Sequence, residues 1–438
     1  MTTLQPLTPL TAMLPSAGRL LPFVDPVDQA VATHQSRRYW DWLRLYETDA
    51  TACPFQHPDV AMVDIQHAAP SRQQAALIGI DRDGECLGVA ALAPKTVSTK
   101  RIGGFGPDWQ LRGLRLIGNG CLQQHADPLV TRELLRTTLA HITQSSAAFL
   151  LIEDLDAQSP LSTVLEQCLP RGWMTFRHAG VQPRRRIQLA DTPDKYWSKF
   201  SGKTRSTFRR KLKKFGQTRL ERITEIDQVS GFLAAAHAIS QQTWQTRQFG
   251  LRVRNDDCEL EQLTTLARLG LLRCYLWHVN DEPVAFTIGN QDHGCFHYEE
   301  VGYVTAHARN SPGQMMLLQM IDDLILHERP EWFDFGGGDA DYKQLFATHD
   351  SQSGTVWLFP PTASNHFTVP YLRGCHAVRN LARKWIGDAG LTSRFRQLVR
   401  YGGLPPSPGA SLGEGRGEGA SAFDSGATQN EEPKAPSP

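Results

Sequence analysis

Paired cysteines, long apolar runs and an excess of either charge are all missing from this 438-residue chain. Its eight cysteines, Cys53, Cys86, Cys121, Cys168, Cys258, Cys274, Cys295 and Cys375, stand far apart with no CxxC spacing. That excludes a disulfide frame or a zinc knuckle, and free thiols in a reducing cytoplasm are expected instead. No apolar run approaches the roughly 18 residues of a membrane span. The first twenty residues lack a basic region followed by a continuous apolar core, so no secretory signal is expected. Lysine and arginine number 46 against 45 acids, a net charge of +1, so bulk charge points to neither DNA nor a membrane. His293 and His297 are four apart, but on a hairpin and strand that spacing makes no metal pair, and no metal is expected.

What is present is a regular alternation of strand and helix signals over a length too great for one ordinary core. Residues 1–20 carry no period and read as a flexible start. Ser36–Glu47 has helical spacing and is broken by Cys53-Pro54-Phe55-Gln56-His57-Pro58. Strands are expected at Ala75–Ile80 and Cys86–Ala91, joined by an Asp83-Gly84 hairpin turn. Another is expected at Leu111–Gly118, then a helix at Pro128–Ile142, a buried strand at Ala147–Ile152 and a helix at Pro160–Leu169. Trp173–Leu189 supplies further strand material.

Composition then changes. Between Arg184 and Arg222 basic residues far outnumber the acids. Trp197, Phe200, Phe208, Leu212 and Phe215 fall on one helical face of this stretch, so one amphipathic basic helix is expected from Asp194 to Phe215, starting at Asp191-Thr192-Pro193-Asp194. Its cations include Lys203, Arg205, Arg209 and Arg210. They suit a solvated face, an anion-docking surface or a membrane-surface helix. A strand (Thr218–Ile223) and helices (Gln228–Trp244, Asn255–Leu269) follow. Three strands come next, at Leu271–Val279, Pro283–Asn290 and Gly294–Tyr303, turning at Asn280-Asp281-Glu282 and Gln291-Asp292-His293-Gly294. Asn310-Ser311-Pro312-Gly313 opens a helix to about His327, and Thr355–Phe359 offers a last strand.

Between those last two lies EWFDFGGGDADYKQLFA, Glu331–Ala347. An apolar strand, a triple-glycine turn and a polar helix start present groups at the carboxyl end of a strand. The two halves repeat one order of elements, with Leu111–Leu155 mirroring Phe296–Phe335. The fold class is therefore α/β with mixed sheets, in tandem domains at 21–189 and 190–362. A basic helical extension (363–401, helical at His376–Val399) and a disordered tail (402–438) follow. The first copy ends its buried strand in Glu153-Asp154-Leu155-Asp156, without glycines or lysine, which puts the chemistry in the second.

Three stretches, YWSKFSGKTRSTFRRKLKKF, FHYEEVGYVTAHARNSPGQMMLLQMIDDLI and FDFGGGDADYKQLFA, resemble GNAT-type acyl-CoA N-acyltransferases of the CelD-like cellulose-biosynthesis branch. With CPFQHP of the first half they span most of Ser36–Phe359. The Fem-type peptidoglycan aminoacyltransferases, with two such domains, are also similar, although the long coiled-coil arm of some members is absent here. The resemblance implies direct transfer of an acyl group from acetyl-CoA or another acyl-CoA to an amine-bearing small molecule or saccharide. Under the Fem-type alternative the donor is aminoacyl-tRNA. A non-catalytic part of a polysaccharide system is the third reading, favoured by the shortened Ser-Pro-Gly loop.

The resemblance also implies roles for residues. Phe296–Tyr303 and Trp332–Phe335 would splay apart around the pantetheine arm, with Val301 lining the gap. The pyrophosphate would meet the helix start at Ser311, Pro312, Gly313 and Gln314, where Pro312 lacks an N–H. Gly336 and Gly337 would let backbone approach the donor. Lys343 would supply a cation to phosphate or oxyanion, or else is a solvated helix lysine. Tyr342 would protonate the leaving thiolate, or else simply packs. Strand alternation is expected to set Glu299 and Glu300 on opposite faces, leaving one to accept the amine's proton. Asp334, among rings, requires a partner if buried and either orients the turn or binds substrate. Asp339 is an N-cap or a substrate ligand, and Lys203, Arg205 and Arg209 are expected to contact an anionic substrate.

Overall fold

The computed structural model describes residues 19–27, 35–68, 75–103, 106–177, 180–243, 252–338 and 340–388. In chain order the first half begins with β1 (Leu21–Pro26), α1 (Arg37–Thr48), α2 (Pro58–His67), β2 (Ala76–Arg82) and β3 (Glu85–Ser98). It continues through α3 (Thr99–Gly103), β4 (Gln110–Leu116), β5 (Leu122–Gln123), α4 (Pro128–Gln144), β6 (Leu150–Asp156), α5 (Pro160–Cys168), β7 (Met174–Arg177) and β8 (Gln182–Gln188). The second half starts with α6 (Pro193–Trp197), α7 (Gly202–Lys213), β9 (Thr218–Ile223), α8 (Ile226–Gln241) and α9 (Asp257–Arg268). Then come β10 (Cys274–Val279), β11 (Glu282–Asp292), β12 (Cys295–Tyr303), α10 (Pro312–Asp323), β13 (Trp332–Asp334), α11 (Asp341–Phe346), β14 (His349–Phe359) and α12 (Ala363–Asp388).

The hairpins sit where their turn residues put them. Asp83 and Gly84, Asn280 and Asp281, and His293 and Gly294 all have positive φ, the conformation a two-residue hairpin needs to match strand twist. Helix α4 starts because Asp127 accepts the Leu129 N–H at 2.8 Å and Pro128 occupies the first turn, where a missing N–H costs nothing.

Fourteen strands among the described residues form one mixed sheet in the order β1-β2-β3-β4-β6-β14-β8-β13-β12-β11-β10-β9, with β5 on β3 and β7 on β14. The repeat is visible in the pairing. β2, β3 and β4 are antiparallel neighbours, and α4 then crosses over to β6, parallel to β4. Likewise β10, β11 and β12 are antiparallel, and α10 crosses to β13, parallel to β12. The last strands are exchanged. β8, from the first half, pairs with β13 of the second, while β14, from the second, pairs with β6 of the first. β14 also holds β8 along His349–Ser353 and β7 along Val356–Phe359.

Each half buries apolar residues on both sheet faces. On one face of the second half Phe296, Tyr298, Phe333 and Phe335 pack with Met315, Leu318 and Ile321 of α10. On the other, Phe286 meets Val229, Phe232 and Leu263 from α8 and α9.

Several expectations change. The single basic helix is two, α6 and α7, because each has its own cap: Thr192 accepts the Lys195 N–H and Ser201 accepts the Thr204 N–H. Its apolar face does behave as the spacing says, with Phe200, Phe208 and Phe215 buried under α10 and Trp197 and Leu212 packed beside them. β1, α2 and α3 were not anticipated; the Pro58 read as a breaker is the first residue of α2, whose N–H cap acceptor is His57 Nδ1. Helix α12 begins at Ala363 and contains Pro370, earlier than the basic stretch suggested. The start of the chain through residue 18, residues 389–401 of the extension and the tail lie outside the described residues. Among the described residues no helix is long and apolar enough to cross a membrane.

Candidate active site

A gap opens where the two parallel strands of the second half part. β12 and β13 pair only at Cys295 with Trp332, Phe296 with Phe333 and His297 with Asp334. Beyond that point β12 continues to Tyr303, while Phe335 donates its N–H to Arg185 O of β8 at 3.1 Å, so the chain follows the other neighbour. Among the described residues the β12–β13 pairing thus ends at His297, and the two strands part beyond it. Tyr298 and Phe335 meet edge-to-face at 5.7 Å in the angle of the fork. This is the splay expected between these strands.

The glutamates lie on β12 at the mouth of the fork, but not as alternation requires. Ile288 pairs with Glu300 and Gly289 with Tyr298, so Glu299 is an extra residue, a β-bulge. The side-chain parity shows its effect. Phe296 and Tyr298 pack in the α10-side core before the bulge, and Val301 and Tyr303 pack against the same core after it. Glu299 and Glu300 therefore both leave the strand on the opposite side, a correction to the expected opposition.

Their surroundings separate them. Glu300 is held by Arg252, whose Nε donates to it at 2.9 Å; burial raises its pKa, and Arg252 partly offsets that. Among the described residues no cation is paired with Glu299 in this way. Burial, then the charges of Asp334 and Asp154, push its pKa up to about 7, against the lowering influence of Arg184 and the Asn290 amide. It is thus poised to gain or lose a proton near neutrality. The first half closes over this place. Its Pro54–Gln56 turn lies against β11, and the Cys53 thiol, pushed up to about 12 mainly by burial, also feels the Glu299 charge.

Beside the fork lies a buried ionic cluster that joins the halves. Asp334 is 1% exposed and accepts from Arg184 Nε and Arg186 Nε, both at 2.8 Å, while its other oxygen accepts the Gly336 N–H at 2.8 Å. Burial alone would raise its pKa, yet these arginines hold its carboxyl below the usual carboxylate range. The expected substrate role of Asp334 gives way to this anchoring, since its oxygens are occupied and shielded. Arg184 also reaches Asp154 of β6 at 3.0 Å, and Ser353 of β14 donates to the same carboxylate. Asp154 was set aside as part of an inert copy, and Arg184 was counted only as one of a basic run. The signal missed was the exchange of β8 and β14, which brings both to the second half's glycine turn.

That turn is built on backbone freedom. Gly336 and Gly338 have φ of 67° and 92°, and a Cβ on Gly337 would sit 2.6 Å from Asp154 Oδ1. Lys343, buried at 4% exposure, threads back and donates to Phe335 O at 2.9 Å and Gly337 O at 3.0 Å. It is thus no solvated lysine. Tyr342 packs edge-to-face on Phe335 at 6.0 Å. Asp339 lies outside the described residues.

Helix α10 points its start toward the end of the fork. Ser311 precedes it with φ of 58°, its N–H is donated to Ala308 O at 3.0 Å, and Pro312 has none. Of the four residues expected there, Gly313 and Gln314 are left to meet an anion. Lys211 of α7 lies at the same corner, donating to Ser311 Oγ at 2.8 Å. Along the outer face of α7, Lys203, Arg209, Arg210, Lys213 and Lys214 are exposed and Arg205 is half-buried.

Residues 202–344 match the family model described as an acetyltransferase (GNAT) domain. The second half carries a GNAT domain. The crystal structure of FemX has a TM-score of 0.54 and 13% identity, over 74% of this chain and 96% of that one, a likeness of fold alone. The C-terminal domain of a putative lysylphosphatidylglycerol synthetase from Agrobacterium fabrum has a TM-score of 0.46 and 9% identity, over 75% of this chain and 92% of that one. A tandem GNAT protein from the clavulanic acid biosynthesis pathway has 0.45 and 12%, over 77% and 98%. No curated protein sequence matches the chain.

Proposed function

We propose that the protein is a cytoplasmic N-acyltransferase that moves an acyl group from a CoA thioester, acetyl-CoA in the simplest case, to an amine. The observation that carries this reading is Glu299, a carboxyl with a pKa of about 7 at the mouth of the fork inside the GNAT domain. The donor would lie along β12 beyond the fork, near Val301, with its pyrophosphate at the Gly313 and Gln314 N–H groups and Lys211. Glu299 takes a proton from the acceptor amine, the nitrogen bonds to the thioester carbonyl carbon, and the C–S bond breaks. Tyr342 is the candidate to protonate the departing thiolate. Lys343 acts through the glycine turn, whose carbonyls it fixes. On this reading 21–189 and 190–362 are the repeat units, each completed by the other's last strand. An amine-bearing sugar of envelope or cellulose biosynthesis is the acceptor class the CelD-like resemblance favours.

Calorimetry with acetyl-CoA and longer acyl-CoAs tests the donor. Saturable binding that weakens when Lys211 is replaced is expected, and no binding of any acyl-CoA ends the proposal. A second reading, transfer from aminoacyl-tRNA, is favoured by the exposed cations of α7, which continue from the corner that Lys211 occupies. Counterion release would make such binding fall steeply with salt. Transfer of a labelled amino acid from charged tRNA would support it; indifference to tRNA at low salt would remove it.

A further inference from the structure

Helix α12 is apolar on two sides, and one of them faces outward. On the inner side Val369 and Leu372 are fully buried with Phe149, Trp357 and Phe359. Asn365 ties the helix start to the same place, donating to Ala148 O and Pro360 O, both at 3.0 Å. A second row runs Phe367, Tyr371, Gly374, Val378 and Leu381, at steps of four and three residues, so its members share one side of the helix. Phe367 is 78% exposed, Val378 55% and Leu381 58%. Tyr371 joins the row to Trp109, a half-exposed side chain whose ring lies 5.3 Å from its own. A contiguous apolar surface of this kind, held on a fixed helix, marks a contact.

Charge selects what can cover it. The whole chain is balanced, yet residues 363–401 hold seven lysines and arginines against one acid, Asp388. Lys100, on the helix α3 that packs against α12, is exposed as well. The acid nearest Trp109 in sequence, Asp108, accepts from the Ser98 hydroxyl and the Gln110 amide. A second copy of the chain would bring the same seven cations against these, so like charge opposes self-pairing through this side. Residues 402–438 have only Leu404, Leu412 and Phe423 as large apolar side chains, too few to cover the row. An anionic lipid leaflet meets both demands: its headgroups attract the cations, and the layer beneath them receives the rings. Tryptophan and tyrosine, here Trp109 and Tyr371, favour that boundary because each is apolar in body and polar at one end.

We propose that the outer side of α12, together with Trp109, docks on an anionic membrane leaflet. The helix lies in the plane of the headgroups, with Phe367, Val378 and Leu381 entering the acyl boundary and the basic residues staying among the phosphates. Helix α7, the basic helix for which the sequence left a membrane role open, is unsuited to it, because Phe200 and Phe208 of its apolar side are buried in the core. The docking surface is built on α12, α3 and β7 and uses neither Glu299 nor the fork. It therefore stands apart from the acyl-CoA reading, and the failure of one leaves the other intact.

The test is flotation of the full chain with lipid vesicles. The protein should rise with vesicles of equal parts phosphatidylglycerol and phosphatidylcholine, stay behind with phosphatidylcholine alone, and bind more weakly as salt is raised. Replacing Phe367 and Leu381 together by serine should weaken partitioning by about tenfold or more, the loss expected when two apolar side chains no longer leave water. The melting temperature of this variant should match wild type, because both side chains are exposed in the free protein. If the pair does not fold, F367S and L381S made singly still report, each with a smaller loss in the same direction. No flotation with the anionic vesicles, or flotation untouched by the replacements, overturns the proposal. A concentration-dependent dimer of the wild type that the replacements abolish also overturns it and assigns the row to a second copy.

Discussion

Replacing Glu299 by glutamine removes a carboxyl whose pKa is lifted from the ordinary 4.5 to about 7. In the folded protein that carboxyl keeps its proton up to pH 7, while in the unfolded chain it loses it near 4.5. Between those values the folded state binds more protons, so stability falls as pH rises through this window. The full shift corresponds to about 3 kcal/mol. Glu299 is only partly enclosed, and solvent screening reduces this to about 1–3 kcal/mol. Glutamine cannot ionise, so E299Q should be more stable than wild type by that amount at pH 8 and equal to it near pH 4. Urea midpoints at both pH values measure this. The same carboxyl sets the rate. Wild-type kcat/KM should rise through about pH 7, and E299Q should lose about 10²–10⁴-fold together with that limb. An E299Q protein no more stable than wild type at pH 8, with its alkaline rise intact, would refute the assignment.

Three further perturbations probe the cluster behind the base. Arg184→Met leaves Asp334 and Asp154 buried without their shared guanidinium and should cost about 3–5 kcal/mol in urea unfolding; an unchanged midpoint would contradict the cluster. Gly337→Ala puts a methyl 2.6 Å from Asp154 Oδ1, which Ser353 holds while Arg184 holds the carboxylate's other oxygen, and should destabilise by about 1–3 kcal/mol, whereas Gly202→Ala, with open space around it, should not. Lys343→Met deletes the ammonium bonded to Phe335 O and Gly337 O, and should cost about 1–3 kcal/mol with faster hydrogen exchange at Gly336; unchanged exchange would show the turn stands without it.

Local patterns were legible in the sequence, and pairings between distant segments were not. The hairpin turns, the strand and helix series from Thr218 to Phe346 and the buried face of Phe200, Phe208 and Phe215 follow from periodicity and turn chemistry. The requirement that Asp334 find a partner was also readable, because a lone carboxylate among aromatic rings is too costly. Its partners were not, since Arg184 and Arg186 lie on a strand whose neighbours depend on β14. The bulge at Glu299 was equally hidden. One inserted residue leaves no mark in a run such as HYEEVGY, yet it reverses the side on which every later residue falls.

The exchanged strands also bear on how the chain is made. β14 enters between β6 and β8 and is nearly the last element of the described chain. As synthesis proceeds from the amino end, the first half waits with the edge of β6 bare until residue 359 has left the ribosome. A bare edge of Leu150, Leu151 and Ile152 is an invitation to pair with the wrong chain. Neither half, expressed alone, can be a finished fold: the first lacks β14 and the second lacks β8. A break in the gene near residue 189 should give two insoluble products that recover only when made together.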